Sequence, residues 1–105
     1  MSLVLLIAPY RWSTDSDRLR LDMIKRELVL EGKVPLFLPH AMAGILDDEH
    51  PDERPLALVL SRLFVTTLAQ LPDVECWQVG DRITEGMAVD LQAWEDAGRG
   101  KAKLV

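Results

Sequence analysis

Little in this 105-residue chain serves redox or metal chemistry, for it holds one cysteine and two histidines. A single cysteine excludes a disulfide within the chain. Because Cys76 lies in an apolar run, it reads as a buried structural thiol suited to a reducing cytoplasm. Basic residues are also short, 12 Lys and Arg against 17 Asp and Glu, giving a formal charge of -5. That balance argues against binding a nucleic-acid backbone, which needs clustered cations. No apolar run approaches the roughly 20 residues of a membrane span. The opening stretch Ser2-Leu3-Val4-Leu5-Leu6-Ile7-Ala8-Pro9 lacks a basic leader, so it is expected to be a buried strand, not a signal or an anchor. Walker A, GxGxxG, GxSxG and CxxC patterns are absent, which removes support for the enzyme classes built on them.

What the chain does have is apolar content, 49% of its residues, enough for one core and one domain over 1–105. After the first strand, polar residues 13–17 offer helix caps, and Leu19, Met23, Ile24, Leu28 and Leu30 are expected to form an apolar helix face ended by Gly32. A second strand over 34–38 is closed by Pro39, with Pro35 at its first residue or on an exposed edge. Residues 39–54 show no period and are expected to be a loop. Pro55 then suits a first helical turn, followed by Leu56, Leu60, Leu63, Phe64 and Leu68 at helical spacing. A third strand over 74–79, a helix to about Ala97 and a strand stub over 102–105 complete the chain. Strands alternating with amphipathic helices predict an α/β three-layer sandwich around a small parallel sheet of four to five strands, order 2-1-3-4.

In such sheets ligands bind beyond the carboxyl ends of the strands where the order reverses, here between the first and third. That rule selects the loops over 9–15, 39–54 and 80–84. The last leads into Gly80-Asp81-Arg82-Ile83-Thr84-Glu85-Gly86-Met87, a strand end, a polar loop and a helix start. At about 100° per residue, Asp90 borders the stripe of Met87, Leu91 and Trp94, neither fully solvated nor fully buried. Thr84 is expected to cap the helix, contact a ligand, or both. Gly86 weakens a helix by about 1 kcal/mol relative to alanine, which points to a close approach there. Tyr10 and Trp12 either stack on a ligand or cover the core, and Trp77 reads as core. Asp73 is either a turn residue or a site residue. His40, at a strand's carboxyl end, is the better placed histidine for a ligand. Asp47-Asp48-Glu49-His50 lacks the spacing of a metal loop, and its stretch reads instead as a water-excluding lid. No metal or cofactor is expected.

Ile7-Ala8-Pro9-Tyr10-Arg11, Pro39-His40, Leu71-Pro72-Asp73-Val74 and the segment from Gly80 to Met87, with a carboxylate four residues past Gly86, resemble the nucleoside 2-deoxyribosyltransferase superfamily. The nearest likeness is to its small DUF4406-type proteins, and the resemblance spans nearly the whole chain. It implies a flavodoxin-like or Rossmann-like fold. It also implies an enzyme acting on a nucleoside or nucleotide, a transferase or N-glycoside hydrolase in which Asp90 attacks the anomeric carbon and releases the base. By the same resemblance Tyr10 and Asp73 orient the nucleophile and Asp81 meets the base. Thr84 and Gly86 hold the 5'-end of the sugar, with Arg11, Trp12, His40, Glu85 and Met87 around the ligand. The family carries glutamate where this chain has Asp90, whose side chain is one methylene, or about 1 Å, shorter.

Two functions follow as expectations. One is an N-glycosidic enzyme with an essential carboxylate, and the alternative is a nucleotide-binding module without turnover. Under either, the many apolar positions of the helix after Pro55 predict a homodimer or larger homo-oligomer. In the resembled family a neighbouring subunit completes the pocket.

Overall fold

A computed structural model describes residues 2–42, 45–46 and 50–105. Eight elements follow in order: β1 (Leu3–Ile7), α1 (Asp15–Leu30), β2 (Val34–Leu36), α2 (Leu38–Met42), α3 (Arg54–Leu68), β3 (Val74–Gln78), α4 (Glu85–Asp96) and β4 (Lys103–Leu104). The four strands form one sheet in the order β2-β1-β3-β4, with every pairing parallel. Leu5 of β1 stands beside Leu36 on one side and Cys76 on the other. Pro35 can occupy β2 because that strand is an edge, where a missing N–H breaks no inner ladder.

Alternation along β1 divides the core into two. Leu5 and Ile7, with Val74 and Cys76 of β3, pack beneath α3 and α4 around Val65, Met87 and Trp94. Val4, Leu6 and Ala8 face the other way, onto Leu21 and Leu28 of α1. Helices therefore cover both faces of the parallel sheet, the three-layer α/β sandwich expected from the sequence. Among the described residues, no helix is long and apolar enough to cross a membrane.

Helix starts follow their caps. Thr14 and Asp17 form a capping box, the Asp17 N–H donating to Thr14 Oγ1 at 3.1 Å and the Thr14 N–H to Asp17 Oδ2 at 2.9 Å. Arg82, in the loop after β3, also binds Asp17 and so ties the start of α1 to the approach to α4. Gly32 stops α1 with φ at +81°, a conformation that favours glycine.

Three expectations need correction. Leu38 begins α2 and does not end β2, because Pro39 needs no N–H partner in a first helical turn. On α1 the buried positions are Leu21 and Leu28, with Ile24 packed against them. Leu19, Met23 and Leu30 lie two residues from those positions, about 200° around the helix, and are exposed. On α3 the buried stripe is Ala57, Ser61 and Val65 at four-residue spacing, while Leu56, Leu63 and Phe64 face outward. Small side chains on that stripe let α3 lie close to α4, and this decides where Ser61 points.

Candidate functional site

A cavity of about 580 Å³ opens above the carboxyl ends of β1 and β3, where the strand order reverses. Its walls come from the loop after β1, from Phe37 and Pro39 beyond β2, from α3 and from the start of α4. A volume of that size suits a small organic ligand.

Asp90 lies in this cavity on the inner side of α4. Met87 and Trp94 anchor the helix in the core, one on each side of Asp90 in sequence, and this carries the carboxylate inward. Ser61 of α3 donates to Asp90 Oδ1 at 2.7 Å. Burial pushes the Asp90 carboxyl up to about 6, while the hydrogen bond from Ser61 pulls against that rise. Asp90 therefore titrates near neutrality, in the range where a carboxylate can serve as nucleophile or base. Cys76 is an unlike neighbour. Burial, and then the Asp90 charge, push its thiol up to about 12, which makes it an inert core residue.

The start of α4 supplies donors beside that carboxylate. Thr84 is the N-cap, its hydroxyl accepting from the Met87 N–H at 3.3 Å and its carbonyl from the Ala88 N–H at 2.9 Å. Among the described residues, the N–H groups of Glu85 and Gly86 have no partner. Thr84, Glu85, Gly86, Met87 and Asp90 all line the cavity. Glu85 is exposed and pairs with Arg54 of α3 at 3.3 Å, closing the rim between the two helices. Gly86 has open space where a Cβ would stand, so no protein atom requires glycine there. The close approach inferred from sequence is therefore not to the protein's own atoms.

Tyr10, Arg11 and Trp12 also line the cavity. Trp12 is 78% exposed with φ at +61°, a strained conformation for an aromatic residue, and the Arg11 guanidinium sits 5.4 Å from its ring centre. Arg11 Nε is buried without a hydrogen-bond partner. Tyr10 packs edge-on against Phe37 at 6.0 Å and His40 at 5.8 Å.

Three residues expected at the site stand elsewhere. His40 lies behind Tyr10 and does not line the cavity, and its Nδ1 is 2.9 Å from Lys25 Nζ. Its pKa is lowered, first by burial and then by the Lys25 charge, with Asp22 opposing. Asp81 is exposed and lines a separate cleft of about 140 Å³ on the α1 side, because Gly80 at φ +80° turns the chain as it leaves β3. Asp73 precedes β3, at the amino end of the sheet. Five strand residues at about 3.3 Å each separate it from the cavity end, so it cannot orient Asp90. Asp47, Asp48 and Glu49 of the expected lid and acidic cluster lie outside the described residues. Among the described residues no group of three or more His, Cys, Asp or Glu side chains is placed to hold a metal.

Sequence reasoning missed Ser61, Arg54 and Arg82 as cavity residues. The signal for Ser61 was present: a polar residue four positions after Ala57 and four before Val65 marks the stripe that touches α4.

Fold and cavity thus define a parallel α/β domain with a titratable acid in a switch-point cavity. The chain matches, over residues 2–101, the family described as a domain of unknown function, DUF7768, and belongs to it. No curated protein and no solved structure matches the chain.

Proposed function

We propose that this domain breaks the N-glycosidic bond of a nucleoside or nucleotide, with Asp90 as nucleophile. The observation that carries this reading is a half-buried carboxylate, raised to about 6, in a ligand-sized cavity at the strand-order reversal. The likeness of the segment from Gly80 to Asp90 to nucleoside 2-deoxyribosyltransferases supplies the reaction.

Above pH 6 Asp90 is mostly ionised. A carboxylate oxygen attacks C1' of a 2-deoxyribosyl group, forming an ester bond as the C1'–N bond breaks, and the departing base keeps that electron pair and takes a proton from water. Water, or the nitrogen of a second base, then attacks C1' from the vacated face, frees the carboxylate and gives net retention. Ser61 holds Oδ1, which leaves the second carboxylate oxygen for attack. Tyr10 and Trp12 offer ring faces and edges for the base, and Thr84 and Gly86 lie where the sugar's 5'-end is expected.

The test is incubation of the protein with deoxynucleosides and their 5'-monophosphates, with chromatography for free base. Base release that Asp90→Ala abolishes is the expected outcome. No release from any member, or release unchanged by that variant, overturns the enzyme. The short reach of aspartate favours a second reading, a nucleotide-binding module, which predicts calorimetric binding with no base release.

The same proposal places the domain in the cytoplasm, where the free Cys76 stays reduced. It also places a second copy of the chain against the exposed row of Leu56, Val59, Leu63 and Phe64 on α3. Sedimentation is expected to give a dimer or larger species that Leu63→Glu converts to monomer. A monomeric parent protein at assay concentration rules the assembly out.

A further inference from the structure

His40 does not line the cavity, yet the residues around it build the cavity's wall. Pro39, Phe37 and Tyr10 all line that space, and the His40 ring stands edge-on to Phe37 at 4.7 Å and to Tyr10 at 5.8 Å. Tyr10 also meets Phe37 directly at 6.0 Å, so the three rings form one cluster. Lys25 of α1 joins it. Its Nζ is 2.9 Å from His40 Nδ1 and 5.4 Å from the Phe37 ring centre.

An ammonium can only donate, so Nδ1 must accept, which fixes His40 as the neutral ring with its proton on Nε2. A second proton would set an Nδ1–H against the ammonium, two donors and two positive charges at one contact. That contact cannot hold. Burial, and then the Lys25 charge, already keep the His40 pKa below the ordinary 6.5, while Asp22, also on α1, opposes them. Tyr10 is the titratable group facing the ring from the loop after β1, and α2 brings no charge besides His40 itself. Among the described residues no carboxylate bonds the ring, so nothing there compensates a protonated His40.

We propose that His40 is a proton-operated latch behind the cavity wall: neutral, it ties Lys25 of α1 to Tyr10 and Phe37, and protonated, it parts from Lys25 and gives up its edge against Tyr10. The device is independent of the ligand, because every part of it belongs to the protein. Its folded pKa lies below the unfolded one, so the contribution to stability is full above about 6.5 and lost as pH falls through the folded value. Asp90 lines the same cavity and titrates near 6, so the test must separate the two protons.

Proton NMR on the full chain without ligand does so. Tyr10 is the one tyrosine, and His50→Gln leaves His40 as the one histidine, so both rings are read directly. His40 is expected to titrate with a midpoint below 6.5. The cross-peak between the His40 and Tyr10 rings, present at pH 8, should vanish with that same midpoint while core resonances of Leu28 and Val65 stay in place. Lys25→Met removes the competing cation, so His40 should titrate higher and the cross-peak should persist into acid. Lys25→Gln carries the same comparison if the methionine variant fails to fold. Asp90→Asn should leave the midpoint and the loss of the cross-peak unchanged. A midpoint at or above 6.5, a midpoint indifferent to the lysine variants, or a cross-peak that survives protonation would each overturn the latch. So would core resonances that move with the same midpoint, or a loss that Asp90→Asn abolishes.

Discussion

Ser61 and Asp90 face each other across the contact between α3 and α4, with 2.7 Å between the serine hydroxyl oxygen and Oδ1. Among the described residues Ser61 is the buried polar side chain of the core, and its position depends on the small stripe that lets the two helices approach. The hydroxyl has two effects. It satisfies one acceptor of a carboxylate withdrawn from water, and it favours the ionised form that burial opposes.

Removing that donor should therefore move the acid limb of activity. Ser61→Ala is expected to shift the pH dependence of kcat/KM upward from about 6, lowering activity near pH 6 by roughly tenfold while changing it much less at pH 8. Ser61→Thr, which keeps the hydroxyl, should restore the profile. A uniform loss at all pH values would mean that Ser61 only packs.

Asp90 itself should carry a signature in stability. Its folded pKa, about 6, lies above the ordinary unfolded value near 3.9, so between those values the folded chain holds a proton that the unfolded chain has shed. The contribution to stability is then full below about pH 4 and lost as pH rises through about 6. Asp90→Asn, which can still accept from Ser61, should unfold much like the parent at pH 4. At pH 7.5 it should be more stable by roughly 2–3 kcal/mol. Urea unfolding of both proteins at the two pH values measures this, and a difference that does not change with pH refutes it.

The alternation of apolar strands with capped helices was enough to read the parallel sheet and its order, because period and turn chemistry are local. The faces of α1 and α3 were not legible in the same way. Leu19 and Leu63 are as apolar as Leu21 and Leu28, and only the sheet decides which rows it covers. Both site errors on aspartates have geometric causes. A parallel strand puts Asp73 at the wrong end, and a positive φ at Gly80 turns Asp81 toward α1. The boundary position of Asp90, by contrast, followed from helix phase, while its role as nucleophile came only from the resemblance. Its partner Ser61 lies 29 residues away in sequence, a pairing that no local pattern encodes.

Arg99 should prove a structural staple remote from the chemistry. Its guanidinium donates to the carbonyls of Ala69 and Leu71, both at 2.9 Å, and of Val74 at 2.6 Å, and lies 4.5 Å from the Trp94 ring centre. These bonds close the end of α3 and fix the turn into β3. Arg99→Ala is expected to cost about 2–4 kcal/mol by urea unfolding, since it leaves partly buried carbonyls without donors. Arg99→Lys should recover only part, because an ammonium cannot present the planar fork. Affinity for ligand should remain unchanged in whatever fraction stays folded.

Gly86 offers the sharpest separation of stability from function. A Cβ there would meet no protein atom, and the residue sits in the first turn of α4 with no positive φ. Gly86→Ala should therefore stabilise the unliganded protein by about 0.5–1 kcal/mol through helix propensity and a less flexible unfolded chain. It adds a methyl group to a residue that lines the cavity, so if the ligand sits against the start of α4 nucleotide affinity should fall by roughly tenfold or more. Thermal melting and calorimetry on the same variant give the two readings. A stabilised protein with undiminished affinity would mean that the ligand does not approach the start of α4, and the cradle would then have to be sought along the Tyr10 and Trp12 wall.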